Sequence, residues 1–337
     1  MLFSDFSYQH FDWWHDKVDG AIIPGTVDPE NFEHKGIFKN KSINLGFTVG
    51  LNDYWNITVS QLISERCMDW QGPVDDDGNS LTVHHRTECS SSDFFDVERS
   101  KQIAFGGLLG DTRINARYLL FNQIKGPGSR LFFGLGLDIP SSNMIAESPW
   151  FKSDVTLPDG SVEKTYTPHR HFYLSDGAYK MNLELQFFKK RIKYPVFWGG
   201  TLSANIPIND SKYGFSPSNR YQLSFIAMSS SMPFQKFKLG NLSISSVGFI
   251  FSMAHSSRSK WNDEGDTPNS KSILYVPGIN ILFSLKDGGG FGVTLTRGYE
   301  YYFNENPNDI DETNKIYGVT ISYRKVLDKI IEKLYWK

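Results

Sequence analysis

Ile43-Asn44-Leu45-Gly46-Phe47-Thr48-Val49-Gly50 alternates a large apolar residue with a small or polar one over its whole length. Successive side chains of a strand point to opposite faces. This stretch therefore presents one face of Ile, Leu, Phe and Val and another of Asn, Gly and Thr. The same period returns along the chain. Ile114, Ala116, Tyr118 and Leu120 oppose Arg113, Asn115 and Arg117, and Met181, Leu183, Leu185 and Phe187 oppose Asn182, Glu184 and Gln186. Tyr221, Leu223 and Phe225 oppose Gln222 and Ser224, Phe291, Val293 and Leu295 oppose Gly292, Thr294 and Thr296, and Tyr317 to Tyr323 repeats the pattern near the end. Helical spacing occurs only in the last residues, where Val326, Leu327, Ile330, Ile331 and Leu334 could share one face.

The segments number about twelve: roughly 2–13, 36–50, 55–67, 110–122, 130–142, 172–189, 194–208, 219–231, 237–257, 271–286, 290–304 and 314–326. Their connections alternate in length. Leu51 to Tyr54, Gln123 to Ser129, Lys190 to Lys193, Met232 to Lys236 and Asp287 to Gly289 are short. Residues 14–35, 68–109, 143–171, 209–218, 258–270 and 305–313 are mostly longer. A soluble sandwich has no reason to gather its long loops at one end, whereas a transmembrane antiparallel up-and-down β-barrel does. The expectation is an all-β barrel over 1–326 with short periplasmic turns and long extracellular loops, followed by a short amphipathic helical tail over 327–337.

Composition fits that reading. The 337 residues include 15% aromatic residues, yet mean hydropathy is −0.37, as expected when half of each strand faces lipid and half a wet interior. No run approaches the ~18 apolar residues of a membrane-spanning helix. A net charge of −2 lacks the basic field of a nucleic-acid binder, so no nucleic-acid partner is expected. Rings gather near the expected strand ends, at Trp13, Trp14, Tyr54, Trp55, Phe187, Phe188, Tyr194, Phe197, Trp198, Tyr299, Tyr301 and Tyr302, as in interfacial girdles. Acidic Asp75–Asp77, Asp263, Glu264, Asp266, Asp309, Asp311 and Glu312 fall in long loops, while Lys125, Lys189, Lys190, Arg191, Lys193 and Lys236 fall at short turns. The opening Met1-Leu2-Phe3-Ser4-Asp5 lacks the basic start and apolar run of a secretory leader. Either the numbering begins on a mature chain or the protein is not exported.

Several short motifs resemble one family. Gly110-Asp111-Thr112-Arg113-Ile114-Asn115-Ala116-Arg117-Tyr118 is similar to the glycine–aspartate turn and alternating arginine strand of outer-membrane transporter barrels of the phenol-degradation type. Asn52-Asp53-Tyr54-Trp55-Asn56-Ile57-Thr58-Val59, Asp176-Gly177 and Val276-Pro277-Gly278-Ile279 resemble further pieces of that group in order. The resemblance implies a barrel of Gram-negative outer membranes that takes up small, apolar or aromatic solutes. One departure is the run from Arg324 to Lys337 beyond the closing strand.

Such a barrel would line its lumen with Asn44, Thr48, Thr58, Ser60, Arg113, Asn115, Arg117, Asn182, Glu184, Gln186, Thr201, Ser203, Asn205, Gln222, Ser224, Asn280, Thr294, Thr296, Glu300 and Arg324. Arg113 and Arg117 would form a ladder opposing carboxylates such as Glu184. The lining reads either as a permeation path or as a salt-bridged structural interior, and in both the charges must be paired or hydrated. Cys67 and Cys89 could close a disulfide loop of about 20 residues, worth about 3 kcal/mol by chain entropy, in an oxidising compartment. Loop histidines His84, His85, His169 and His171 match no metal-site spacing, and the acidic runs lack the pattern of a calcium loop. No metal, cofactor or catalytic residue is expected. Two other functions remain open. One is a structural anchor binding envelope proteins through loops and tail. The other is an outer-membrane phospholipase built on His255 and Ser257, although Arg258-Ser259 replaces that enzyme's Asn-Gly. Expected partners are outer-membrane lipid and lipopolysaccharide, a small solute, and an envelope protein.

Overall fold

In a computed structural model the alternating segments close into one antiparallel barrel of twelve strands. The residues it describes are 1–15, 34–71, 107–123, 127–144, 152–156, 162–166, 173–192, 196–229, 238–239, 242–262, 270–285, 289–303 and 313–327. The barrel strands are β1 (Leu2–His15), β2 (His34–Gly50), β3 (Trp55–Gln71), β4 (Leu109–Asn122), β5 (Gly128–Ile139) and β6 (Lys180–Lys190). They continue as β7 (Phe197–Pro207), β8 (Arg220–Met228), β9 (Leu242–Ser256), β10 (Ser272–Ser284), β11 (Gly290–Tyr302) and β12 (Thr313–Lys325).

Every strand pairs with its sequence neighbour, and β1 pairs with β12 from Leu2↔Lys325 to Asp12↔Lys315. Closure leaves no free sheet edge. Register slips by a bulge at Gln61/Ile63, Leu119/Phe121 and Ile244/Ser246.

Side-chain parity then sorts the residues. Leu202 is 55% exposed, Leu135 50% and Phe249 49%, and with Leu45, Phe47, Ile279, Leu295 and Val319 they form an apolar outer face. The opposite, inner face holds the hydrogen-bonded threonine pair Thr48–Thr58 and the matching Ser7–Thr320 pair. Glycine on this inner face makes room for larger neighbours. A methyl group on Gly134 would sit 3.2 Å from Glu184 Oε1, and one on Gly46 would strike the Phe3 ring.

Three segments differ from expectation. Residues 173–179 turn rather than extend β6, because Gly177 takes a φ of 76° and Asp176 pairs with Lys180 across the bend. The expected ninth segment divides into a two-residue bridge, Lys238–Leu239, and β9. The loop over 143–171 carries its own hairpin, Lys152–Thr156 with Val162–Tyr166. Most of the expected tail, from 328 on, lies outside the described residues, as do His84, His85, His169, His171, Cys89 and the acidic runs.

Candidate functional site: the barrel interior

Arg113 on β4 meets Asp138 on β5, its direct cross-strand partner, through Nε at 2.7 Å and Nη2 at 2.8 Å. Asp138 also accepts from Asn182 Nδ2 at 2.8 Å and Asn205 Nδ2 at 2.9 Å, and Asn205 donates to Asn182 Oδ1 at 2.6 Å. One carboxylate thus gathers donors from β4, β6 and β7. A fork-shaped guanidinium on two carboxylate oxygens is a strong, directional pair. Four residues along β4 on the same face, Arg117 reaches Glu184 Oε1 at 2.9 Å, over the space left by Gly134. On the far side of the β1–β12 seam Arg324 binds Asp5 at 2.7 Å, Ser322 also donates to Asp5, and the guanidinium lies 5.0 Å over the Phe3 ring.

The other expected lining residues share this face by register. Thr58 pairs with Asn115, Ser60 with Arg113, Gln222 with Ser203, Ser224 with Thr201 and Thr201 with Gln186. Asn44 lies opposite Asp5. Asn280 donates to Thr294 Oγ1 at 2.6 Å, and Gln222 donates to Ser224, which bonds Ser252 at 2.9 Å. Thr296 Oγ1 reaches the Gly318 carbonyl. Glu300 accepts from Ser272 and from the Tyr302 hydroxyl, and Tyr302 accepts from Asn314.

Sequence reasoning missed two kinds of inner residue. The partners of the arginines, Asp138 and Asp5, were not singled out. Their signal was parity: Asp138 continues the row Gly134, Gly136, while Phe133, Leu135 and Leu137 make the other face. Several strand-end aromatic residues also face inward rather than toward the girdle. Tyr302 belongs to the inner hydrogen-bond group just described. Phe188, Phe197 and Phe132 lie on the inner face as well, with Phe188 stacked on Phe197 at 5.4 Å. Ile226 and Ile250 are directly paired there, and Leu274 and Ile316 flank Gly298. The interior therefore mixes charged, hydrogen-bonded groups with apolar patches, at Phe132, Phe188 and Phe197 on β5–β7 and at Ile226 and Ile250 on β8 and β9.

At the long-loop end, Tyr173, Phe215 and Trp261 share one small buried core. Phe215 and Trp261 sit on a two-residue bridge between loops, with ring centroids 5.6 Å apart. Arg66 on the inner face of β3 donates to the Tyr173 carbonyl, which ties this loop core to β3.

The residues of the phospholipase reading are not arranged as a nucleophile and base. His255 is the cross-strand partner of the exposed Tyr221, on the outer face, and its Nδ1 lies 3.1 Å from the Ser272 carbonyl. Ser257 Oγ accepts from the Asn219 N–H at 2.9 Å and points to the Arg258 carbonyl. Nucleophilic catalysis requires those two side chains within hydrogen-bond reach of each other.

No protein-family model matches the sequence, and no curated protein does. Among solved structures, the chain is similar to an outer membrane channel from Pseudomonas putida F1, at 10% identity and a TM-score of 0.48, covering 95% of this chain and 94% of that one. The NanC porin aligns at 7% identity and a TM-score of 0.38 over 96% of this chain and 100% of that one. LpxR from Salmonella typhimurium aligns at 12% identity and a TM-score of 0.38 over 95% and 99%.

Proposed function

We propose that this chain is an integral outer-membrane channel of a Gram-negative-type envelope that lets small solutes pass through the barrel interior. The observation that carries the reading is the opposition of the two faces. Large apolar side chains are exposed around the outside, while ion pairs and amides fill the inside. In water an apolar surface of that extent is a liability. In a bilayer it is required, and closure meets the matching demand that every backbone polar group be paired. In this reading the long-loop end faces the cell exterior and the short turns face the periplasm.

An interior that sets apolar patches beside ion pairs favours small solutes that carry an aromatic or apolar body and a polar group. The Ile226–Ile250 patch would receive the ring, and the Arg117–Glu184 pair would receive the polar end. Proteoliposomes holding the purified barrel test this. A small phenolic solute should enter faster than a sugar of similar size, and Ile250→Asn should remove that preference. Equal rates for both solutes, in vesicles that do conduct ions, would contradict the solute assignment and leave the channel standing.

Cys67, buried on β3, is proposed to be bridged to Cys89. Unreduced protein should then take up no alkylating reagent and should gain two adducts after reduction.

A further inference from the structure

The outer face of β10–β12 carries a feature that a solute path does not use. Arg297 is exposed on the outside of β11, with its guanidinium 5.3 Å from the Tyr299 ring and 5.4 Å from the Tyr317 ring. Beside it opens a groove of about 530 Å³ lined by Ile273, Tyr275, Tyr299, Tyr301 and Phe303. Lys315, exposed and directly opposite Tyr299, stands at one edge. Lys271 holds its ammonium 5.9 Å over Phe303 at the other. Among the described residues, the carboxylate that lies opposite Lys315, Asp12, is engaged by His10 Nε2 at 2.9 Å.

We propose that this groove binds the headgroup of a phosphorylated glycolipid of the outer leaflet. The site rests on the reading of the chain as an outer-membrane barrel with its long loops outside. Three features fit one occupant. Flat tyrosine faces suit the C–H faces of sugar rings, and their hydroxyls keep polar edges at the interface. Arg297, held between two rings, keeps N–H edges for a phosphate, which a guanidinium matches in two-pronged fashion. Immediately below lie Leu295, Val319 and Ile279, all exposed, as a bed for acyl chains. An ordinary aromatic girdle needs only the rings. Cations on both sides of the groove add charge complementarity to a phosphate, the recognition chemistry of lipid headgroup pockets.

The test uses the full-length protein in detergent, with a bisphosphorylated, hexa-acylated glucosamine disaccharide lipid as probe and phosphatidylglycerol as the comparison anion. Native mass spectrometry reads the number and persistence of bound lipids. Wild type should retain the glycolipid preferentially. Arg297→Glu with Lys315→Glu should weaken its binding about tenfold or more, in keeping with the worth of each basic group at a membrane surface. Tyr299→Ala should lower glycolipid binding while leaving phosphatidylglycerol unchanged. Arg297→Gln provides a milder variant should the charge reversal fail to fold. Heat-modifiable electrophoretic mobility reports folding, and bilayer conductance reports the barrel itself. Equal affinity of wild type for both lipids, or undiminished glycolipid binding by folded variants, overturns the site even if conductance is normal. Loss of conductance in the wild type would instead count against the membrane-channel reading.

Discussion

Asp138 is the acceptor for three strands at once: Arg113 from β4 grips both its oxygens, and Asn182 and Asn205 from β6 and β7 donate to the same two atoms. The carboxylate is buried, whereas the Arg113 side chain is half exposed. The two partners are therefore unequal. Removing Asp138 strands a guanidinium and two amides, while removing Arg113 leaves Asp138 two donors. Asp138→Ala should cost about 1–3 kcal/mol, the penalty for orphaned buried donors, and Arg113→Ala less. Urea unfolding of the barrel in lipid vesicles measures both. A larger loss from Arg113→Ala would refute this ordering.

The two faces of β7 provide a sharper contrast. Leu202 and Ser203 are adjacent, one exposed on the apolar outer face and the other on the inner face opposite Gln222 and Glu184. Leu202→Arg should cost about 2–4 kcal/mol in a bilayer, the range for a lipid-facing cation near the midplane. Ser203→Arg should cost much less, because it enters a polar interior. Equal penalties would mean that the outer face does not meet lipid.

Trp261 supports the loop core at the long-loop end together with Phe215 and Tyr173. Trp261→Ala removes the largest of the three and should loosen the tie between these loops and Arg66. Uptake into proteoliposomes should rise several-fold with no change in folded yield. A fall in uptake would show that the loop core supports the entrance rather than restricting it.

The barrel was legible in the sequence because its cause is local. Strict alternation in Ile43–Gly50 and in Arg113–Leu120 fixes two faces, and short turns between long loops fix an up-and-down order. Where the structure departs from the sequence pattern, the deciding force is not local. Residues 173–179 leave the expected strand because Gly177 and the Asp176–Lys180 pair bend them. Tyr302 turns inward because parity along β11 puts it beside Glu300 and Asn314, a contact invisible in a list of strand-end rings. The match of Arg117 to Glu184 was foreseen by charge, but that of Arg113 to Asp138 depends on register, which only the pairing of β4 with β5 supplies. The groove around Arg297 likewise assembles residues from β10, β11, β12 and the residue just past β11, and no single stretch announces it.

The central claim, a solute path through the charged interior, is tested most directly by single-channel recording in planar bilayers under a salt gradient. Arg117 and Glu184 face the same interior with opposite charge. Wild type should give discrete conductance steps, Arg117→Gln should move the reversal potential toward cation preference, and Glu184→Gln should move it toward anion preference. Folded, inserted barrels that conduct no current, or two variants with the reversal potential of wild type, would contradict it.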